Sequence, residues 1–253
     1  MKKKFLVGTI GACLLACTAA VAQNPGTLAA LEFQKPKNGM VKQYEDGRKQ
    51  KAAWHAQQKD PQALMVWQVL SGESTGTYVV GRIGQHWADF DKPAVPDQAD
   101  LDEYNKVIGS YVESVEARYY QYLPKVSNLT MTGPPEKYSE IIVFQTRYGH
   151  DSDFMSAITR IAEGAQKTKW PPQFGWYVLA NGGRTGEYVL ILPHKNWADF
   201  EDNPNVKPFR EMLKEAFGQA EADSIIHRID SSVEKEYSEI DEFRTDLSYL
   251  TAK

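Results

Sequence analysis

The chain has 253 residues, 42% hydrophobic and 25% charged, the proportions of an ordinary globular protein long enough for one large domain or two small ones. Its formal net charge is −4. With no basic run to offset that charge, a nucleic-acid or anionic-membrane surface is not expected.

The first residues carry Lys2, Lys3 and Lys4, then an apolar run from Phe5 to Leu15, then Ala20 and Ala22 at A-x-A positions. This order predicts a secretory signal over residues 1–22, cleaved after Ala22, and a periplasmic or extracellular protein. The alternative is a lipobox at Leu14 to Cys17, which anchors the chain through Cys17. Cleavage after Ala22 removes three of the 29 basic residues and none of the 33 acidic ones, so −4 becomes −7. It also removes Cys13 and Cys17, the chain's two cysteines. Disulfides, a cysteine nucleophile and thiolate metal sites are then excluded from the mature protein. No transmembrane segment is expected in it.

A strand is predicted over Thr27 to Gln34 and a helix over Gly39 to Gln58. A hairpin follows, Leu64 to Leu70 with Thr77 to Ile83, its turn carrying Gly72 and Gly76. Next come the word W-A-D-F at Trp87 to Phe90, a second helix and a last strand. The same order then returns. Ser139 to Arg147 forms a strand, and Asp151 to Lys167 a helix with Phe154, Ile158, Ile161 and Ala165 at helical spacing. Phe174 to Leu179 with Glu187 to Leu192 forms a hairpin. W-A-D-F recurs at Trp197 to Phe200, again before a helix and a strand.

The correspondence is close. Trp67 meets Trp176, Tyr78 meets Tyr188 and Trp87 meets Trp197, at offsets of 109 or 110 residues. Phe33-Gln34 meets Phe144-Gln145, and Tyr122 and Ser127 meet Phe243 and Ser248. A duplicated domain is therefore expected: an α+β protein of two tandem ferredoxin-like β-α-β-β-α-β repeats, over residues 23–131 and 132–253. Each repeat leaves one sheet face apolar. Packing sheet to sheet buries both faces in a pseudo-symmetric barrel.

On this element order and on the F-Q and W-A-D-F words, the sequence resembles the dimeric α+β barrel superfamily. That group includes antibiotic-biosynthesis monooxygenases, NIPSNAP proteins, haem-degrading monooxygenases and chlorite dismutases. Within it the chain is similar to exported tandem bacterial members of unassigned function. The resemblance implies an internal pseudo-dimer, as a monomer or a further homo-oligomer.

W-A-D-F is expected to be structural, with Trp87, Phe90, Trp197 and Phe200 plugging the barrel ends and Asp89 and Asp199 capping turns. Strand alternation suggests a lumen-facing set of Tyr78, Arg82, Tyr188 and His194, joined by Gln68 and Tyr177, with Glu32, Gln34 and Gln145 as further candidates. Such a lumen predicts a binding site for a small apolar or aromatic ligand. Arg82 pairing with Glu32 inside a filled core is the competing outcome.

The five histidines form no metal word: His55 reads as solvent-facing on its helix, and His150 belongs with the capping residues Asp151 and Asp153. His194 and His227 are the positions to test as haem ligands. Neither hydrolase nor nucleotide-binding motifs occur, so no catalytic residue, metal or cofactor is assigned. A ligand-binding protein, a cofactor-independent monooxygenase-like enzyme and a protein-interaction module remain open.

Overall fold

The computed structural model describes residues 26–130 and 133–251. The expected signal segment, with Cys13 and Cys17, lies outside them. Eight strands and five α-helices follow the order β1 (Leu28–Pro36), α1 (Val41–Gln58), β2 (Met65–Val69), β3 (Tyr78–Gln85), α2 (Asp97–Val107) and β4 (Val112–Tyr122), then β5 (Tyr138–Thr146), α3 (Asp151–Thr168), β6 (Gly175–Asn181), β7 (Glu187–His194), α4 (Phe209–Phe217), α5 (Gln219–Ser232) and β8 (Val233–Phe243). All strand pairs are antiparallel, and they close into a barrel ordered β1-β3-β2-β8-β5-β7-β6-β4. No helix among the described residues is long and apolar enough to cross a membrane.

The strands form because Val, Ile, Tyr and Phe dominate them and suit a pleated surface buried on both faces. One face lines the lumen with Ala29, Val143, Tyr177 and Val189, and with Trp67, Val69 and Val79. The other carries the helices. Under α3, α4 and α5 lies a cluster built on Phe144, Phe154, Ile158, Trp176, Tyr188, Met212 and Ile225. Under α1 and α2 lies a smaller one with Tyr44, Val66, Tyr78, Val80 and Ile108. Gly47 lets these two helices meet: a Cβ there would stand 2.0 Å from the Val107 carbonyl oxygen.

Two seams close the barrel, β2 against β8 and β4 against β6. Beyond each seam the chain crosses over. Ser127 Oγ accepts from Trp176 N, and Ser248 Oγ accepts from Val66 N, both at about 2.8–2.9 Å. Val126 joins the cluster of the second half, and Leu247 joins that of the first. Each half thus places its last residues in the other half's core.

Three expectations need correction. Tyr78, Arg82 and Tyr188 lie on the helix side of the sheet. The inference used Arg82 as a marker of the lumen because an unpaired arginine is costly under a helix. Here Arg82 is paired, chiefly with Asp60. W-A-D-F forms short 3-10 turns, but Trp87 and Trp197 are 54% and 53% exposed, so they are not plugs. Trp87 packs on Tyr119 and Phe90, and Trp197 on Tyr138 and Phe200. The aspartates do bind the turns: Asp89 accepts from His86 N and Asp199 from Lys195 N, each at 2.7 Å. Lastly, His55 is only 1% exposed; it belongs to the inward face of α1.

Candidate functional site

α1 turns an unusual face to its sheet. Its buried residues are Tyr44, Gly47, Arg48, Lys51 and His55, spaced to form one stripe on the helix. In α3 the residues 110 positions on are Phe154, Ala157, Ile158, Ile161 and Ala165, all buried. Beneath them, Glu32, Gln34 and Arg82 stand where the second half has Ile142, Phe144 and Leu192; the strand register sets Gln34 against Phe144, one residue off the match of Phe33-Gln34 with Phe144-Gln145 read from the sequence. The equivalent pairings Glu32 with Val80 and Ile142 with Leu190 confirm that alignment in the sheet. Packing at this place in the fold is therefore met by apolar side chains in one half. Buried charges seldom stabilise more than apolar replacements of similar size, so the polar set in the first half points to another use.

Glu32, Arg48, Lys51, His55 and Arg82 border a cleft of about 480 Å³ between α1, α2 and the sheet, with Phe90, Val95, Leu101 and Tyr104 also in its lining. His55 is held on three sides. Its Nδ1 lies 2.9 Å from Asp60 Oδ2, its ring stacks on Tyr249 at 5.9 Å, and Trp54 packs edge-on at 5.1 Å. The Tyr249 hydroxyl donates to the Asp60 carbonyl, so the carboxy-terminal segment supports this corner. Asp60 also accepts from Arg82 Nη2 at 2.8 Å and from Gln62 N at 2.9 Å. It can sit there because Lys59 takes the left-handed conformation (φ 52°) at the end of α1 and turns the chain inward. His55 Nε2 is buried without a hydrogen bond among the described residues and lies 3.4 Å from Asp100 Oδ1.

The electrostatics follow from this packing. Burial lowers the His55 pKa; Asp100 opposes it, while Lys51 and Arg82 add to the lowering. The neutral ring is favoured, with its proton on Nδ1 if Asp60 is ionised. Burial works to raise the Asp60 pKa, but the Gln62 N–H and Arg82 outweigh it and hold Asp60 below the usual carboxylate range. Burial also lowers Lys51, against the pull of Asp100, whose carboxylate is 3.2 Å away. Arg48 donates to Gln34 and to Tyr44 Oη, and burial pushes the Tyr44 hydroxyl up to about 12. The arrangement is a neutral imidazole oriented by a carboxylate, with cations nearby, which suits proton abstraction.

The other proposed site residues do not gather in one place. Arg82 and Glu32 border the cleft, but Arg82 takes Asp60 rather than Glu32 as its ion partner. Gln34 is buried beside Arg48. The Tyr78 hydroxyl donates to Glu45 at 2.7 Å, and Gln68 accepts from Arg244 at 2.8 Å on the same side. Tyr188 packs on Phe154. Gln145 donates to the Thr185 carbonyl. Tyr177 does line the lumen, 5.1 Å from Tyr122. His194 stacks on Phe200 at 4.0 Å near Glu140, and His227 is exposed. Neither histidine borders the cleft or the lumen cavity, so neither fits as a haem ligand there. Among the described residues no group of three or more His, Cys, Asp or Glu side chains could hold a metal ion.

The fold is a closed α+β barrel with cavities large enough for a small molecule. No family model and no curated protein sequence matches the chain. Solved structures do. A candidate monooxygenase from Lactobacillus acidophilus is 8% identical, with a TM-score of 0.53 over 88% of this chain and 96% of that one. An anthrone oxidase-like protein is 12% identical, with a TM-score of 0.51 over 89% and 94%. The chlorite dismutase of Candidatus Nitrospira defluvii, solved with imidazole, is 6% identical, with a TM-score of 0.50 over 88% and 92%. At such identities the likeness shows the fold alone, an α+β protein built on a closed antiparallel barrel.

Proposed function

We propose that the cleft beneath α1 binds a small organic molecule with an acidic O–H, or a C–H acidified by a neighbouring oxygen, and that His55 takes its proton. The observation that carries this is the His55 side chain itself. It is buried at the cleft, fixed through Nδ1 by Asp60, and among the described residues its Nε2 has no hydrogen bond, Asp100 Oδ1 lying 3.4 Å away. Asp60 orients the ring and balances the imidazolium that forms, while Lys51 and Arg48 favour the anion left on the ligand. Tyr104 and Phe90 offer aromatic surface to a ring. This is a binding protein or an enzyme whose first step is proton removal. A monooxygenase-like reaction, in which the ligand anion meets dioxygen, is the enzymatic form of the same reading.

4-Nitrophenol tests it, because its phenolate is coloured and its phenol is not. Wild-type protein is expected to bind it and deepen the colour near pH 6. His55→Gln is expected to bind it without ionising it. Equal ionisation by both proteins would overturn His55 as the base.

We further read the chain as two tandem ferredoxin-like repeats joined near residue 132. The strand orders β4-β1-β3-β2 and β8-β5-β7-β6 support this, with the offset of 110 residues between α1 and α3. Export stays a proposal from the amino-terminal pattern. Mass spectrometry of the protein from its native host decides it: a chain beginning at Gln23 is expected, and an intact Met1 to Ala22 segment would contradict it.

A further inference from the structure

The barrel interior is a second cavity, on the opposite face of the sheet from the cleft, of about 790 Å³. Its walls are largely apolar, with Phe33, Trp67, Ile83, Val143 and Ile191 among them, though Ser114, Glu116 and Arg118 of β4 and Ser139 of β5 also line it, and Pro134 and Pro135 border it. β8 interrupts these walls. Alternation turns Tyr237, Glu239 and Asp241 inward on one line.

Asp241 is 6% exposed, and its Oδ1 is buried with no hydrogen-bond partner among the described residues. Its neighbours across the ladders are Val69 and Ser139. Glu239, 8% exposed, stands two residues back on the same face. The cations bordering the cavity are Lys35 and Arg118, against Glu73, Glu116, Glu136, Glu239 and Asp241. Arg118 is engaged by Glu116, Glu187 and Tyr120 and also favours the ionised form of Glu239, as does Ser74, whereas neither acts on Asp241. Among the described residues no ion pair reaches Asp241.

A buried carboxyl with no partner is costly whether it is ionised or not. Two on one face add their mutual repulsion when ionised. The surrounding apolar walls show that the fold could have placed an apolar side chain there instead. We infer that the barrel lumen binds a hydrophobic molecule carrying a protonated amine, with Asp241 as its counter-ion and Glu239 as a second acceptor. The charge balance favours a cation over a neutral carbonyl ligand, since one ammonium relieves both carboxyls and offsets the acidic rim. Burial, and then Glu239, push the Asp241 pKa well above its ordinary value, and burial raises that of Glu239. Amine binding therefore shifts both carboxyls toward their ionised forms.

Three probes of one shape separate the ligand classes: 2-(1-naphthyl)ethylamine, 2-(1-naphthyl)ethanol and 1-naphthylacetate. By titration calorimetry at pH 6 the amine is expected to bind at least about tenfold tighter than the other two. Asp241→Asn is expected to bring the amine down to the affinity of the alcohol and leave the alcohol unchanged. Should that variant not fold, the wild-type protein still decides. Its amine-binding enthalpy is expected to vary with the buffer's ionisation enthalpy in the direction of proton release, and that of the alcohol is not. Excess 4-nitrophenol, the cleft probe, is not expected to displace the amine, so this site stands or falls apart from His55. Alcohol or acetate binding as tightly as the amine, no measurable amine binding, no proton release, or displacement by 4-nitrophenol would each overturn the assignment.

Discussion

Residues 23–131 expressed alone are expected not to form a stable monomer. Cutting the chain there opens both seams, β2 from β8 and β4 from β6, and leaves four strands with two unpaired edges. It bares the lumen face, where Trp67, Val69, Val79 and Tyr120 are buried in the intact barrel. Fully burying a large apolar side chain stabilises by about 1.5–3 kcal/mol, so exposing four of them costs a sum comparable to the usual total of about 5–15 kcal/mol. The cut also removes Leu247 from the core under α1, together with the bond from Val66 N to Ser248 Oγ. Aggregation, or pairing of two such halves, is the expected result in size-exclusion chromatography. A soluble monomer with a cooperative thermal transition would contradict the dependence of each half on the two seams.

The second large effect is expected at Asp60. Its side chain is 1% exposed, and it binds His55, Arg82 and the Gln62 N–H. Asp60→Ala leaves Arg82 and His55 partly or wholly buried without their partner, at a cost of about 3–5 kcal/mol. Chemical denaturation of variant and wild type measures it; a loss below about 1 kcal/mol would mean the corner is not held as described. The pH dependence has a defined sign. The folded-state pKa of Asp60 is lowered. Its contribution is then complete above the unfolded value of about 3.9 and is lost as pH falls through the folded value. His55 is likewise lowered in the folded protein. Its neutral form supports folding above about pH 6.5, and stability declines below that as the unfolded chain takes up the proton. Wild-type protein is expected to lose stability in two stages on acidification, near pH 6 and again below pH 4. Asp60→Ala should lose the second of these contributions.

Much of the architecture was legible in the residue order. The strand and helix segments follow from Val, Ile and Phe runs broken by Gly and Pro, and α3 is visible because Phe154, Ile158, Ile161 and Ala165 repeat at helical spacing. The direction of the strands was not legible. Val79, Ile83, Val189 and Ile191 face the lumen, but Tyr78, Val80, Tyr188 and Leu190 on the other face are equally apolar. When both faces are buried, alternation does not distinguish them, and Arg82 tipped the choice the wrong way. Hydrophobic periodicity also hides the cleft, because the inward stripe of α1 is Arg48, Lys51 and His55, which reads as a solvated face. The signal that finds it is the internal sequence match: laying α1 on α3 sets those three residues against Ile158, Ile161 and Ala165. Asp60 and Asp100 carry no such mark, since a turn and the start of a helix are ordinary places for aspartate.

That contrast between α1 and α3 has a consequence for how such a protein can change. In a symmetric homodimer each substitution appears twice, so a histidine or lysine placed under one helix is placed under both, and the cost of burying charge is doubled. A single chain carrying both halves is free of this coupling. One half can keep the apolar packing of Phe154, Ile158 and Met212 that holds the barrel together, while the other gives up packing for Arg48, Lys51 and His55. The crossed ends tie the two together: with Leu247 lodged in one core and Val126 in the other, the more polar core is anchored to the more apolar one.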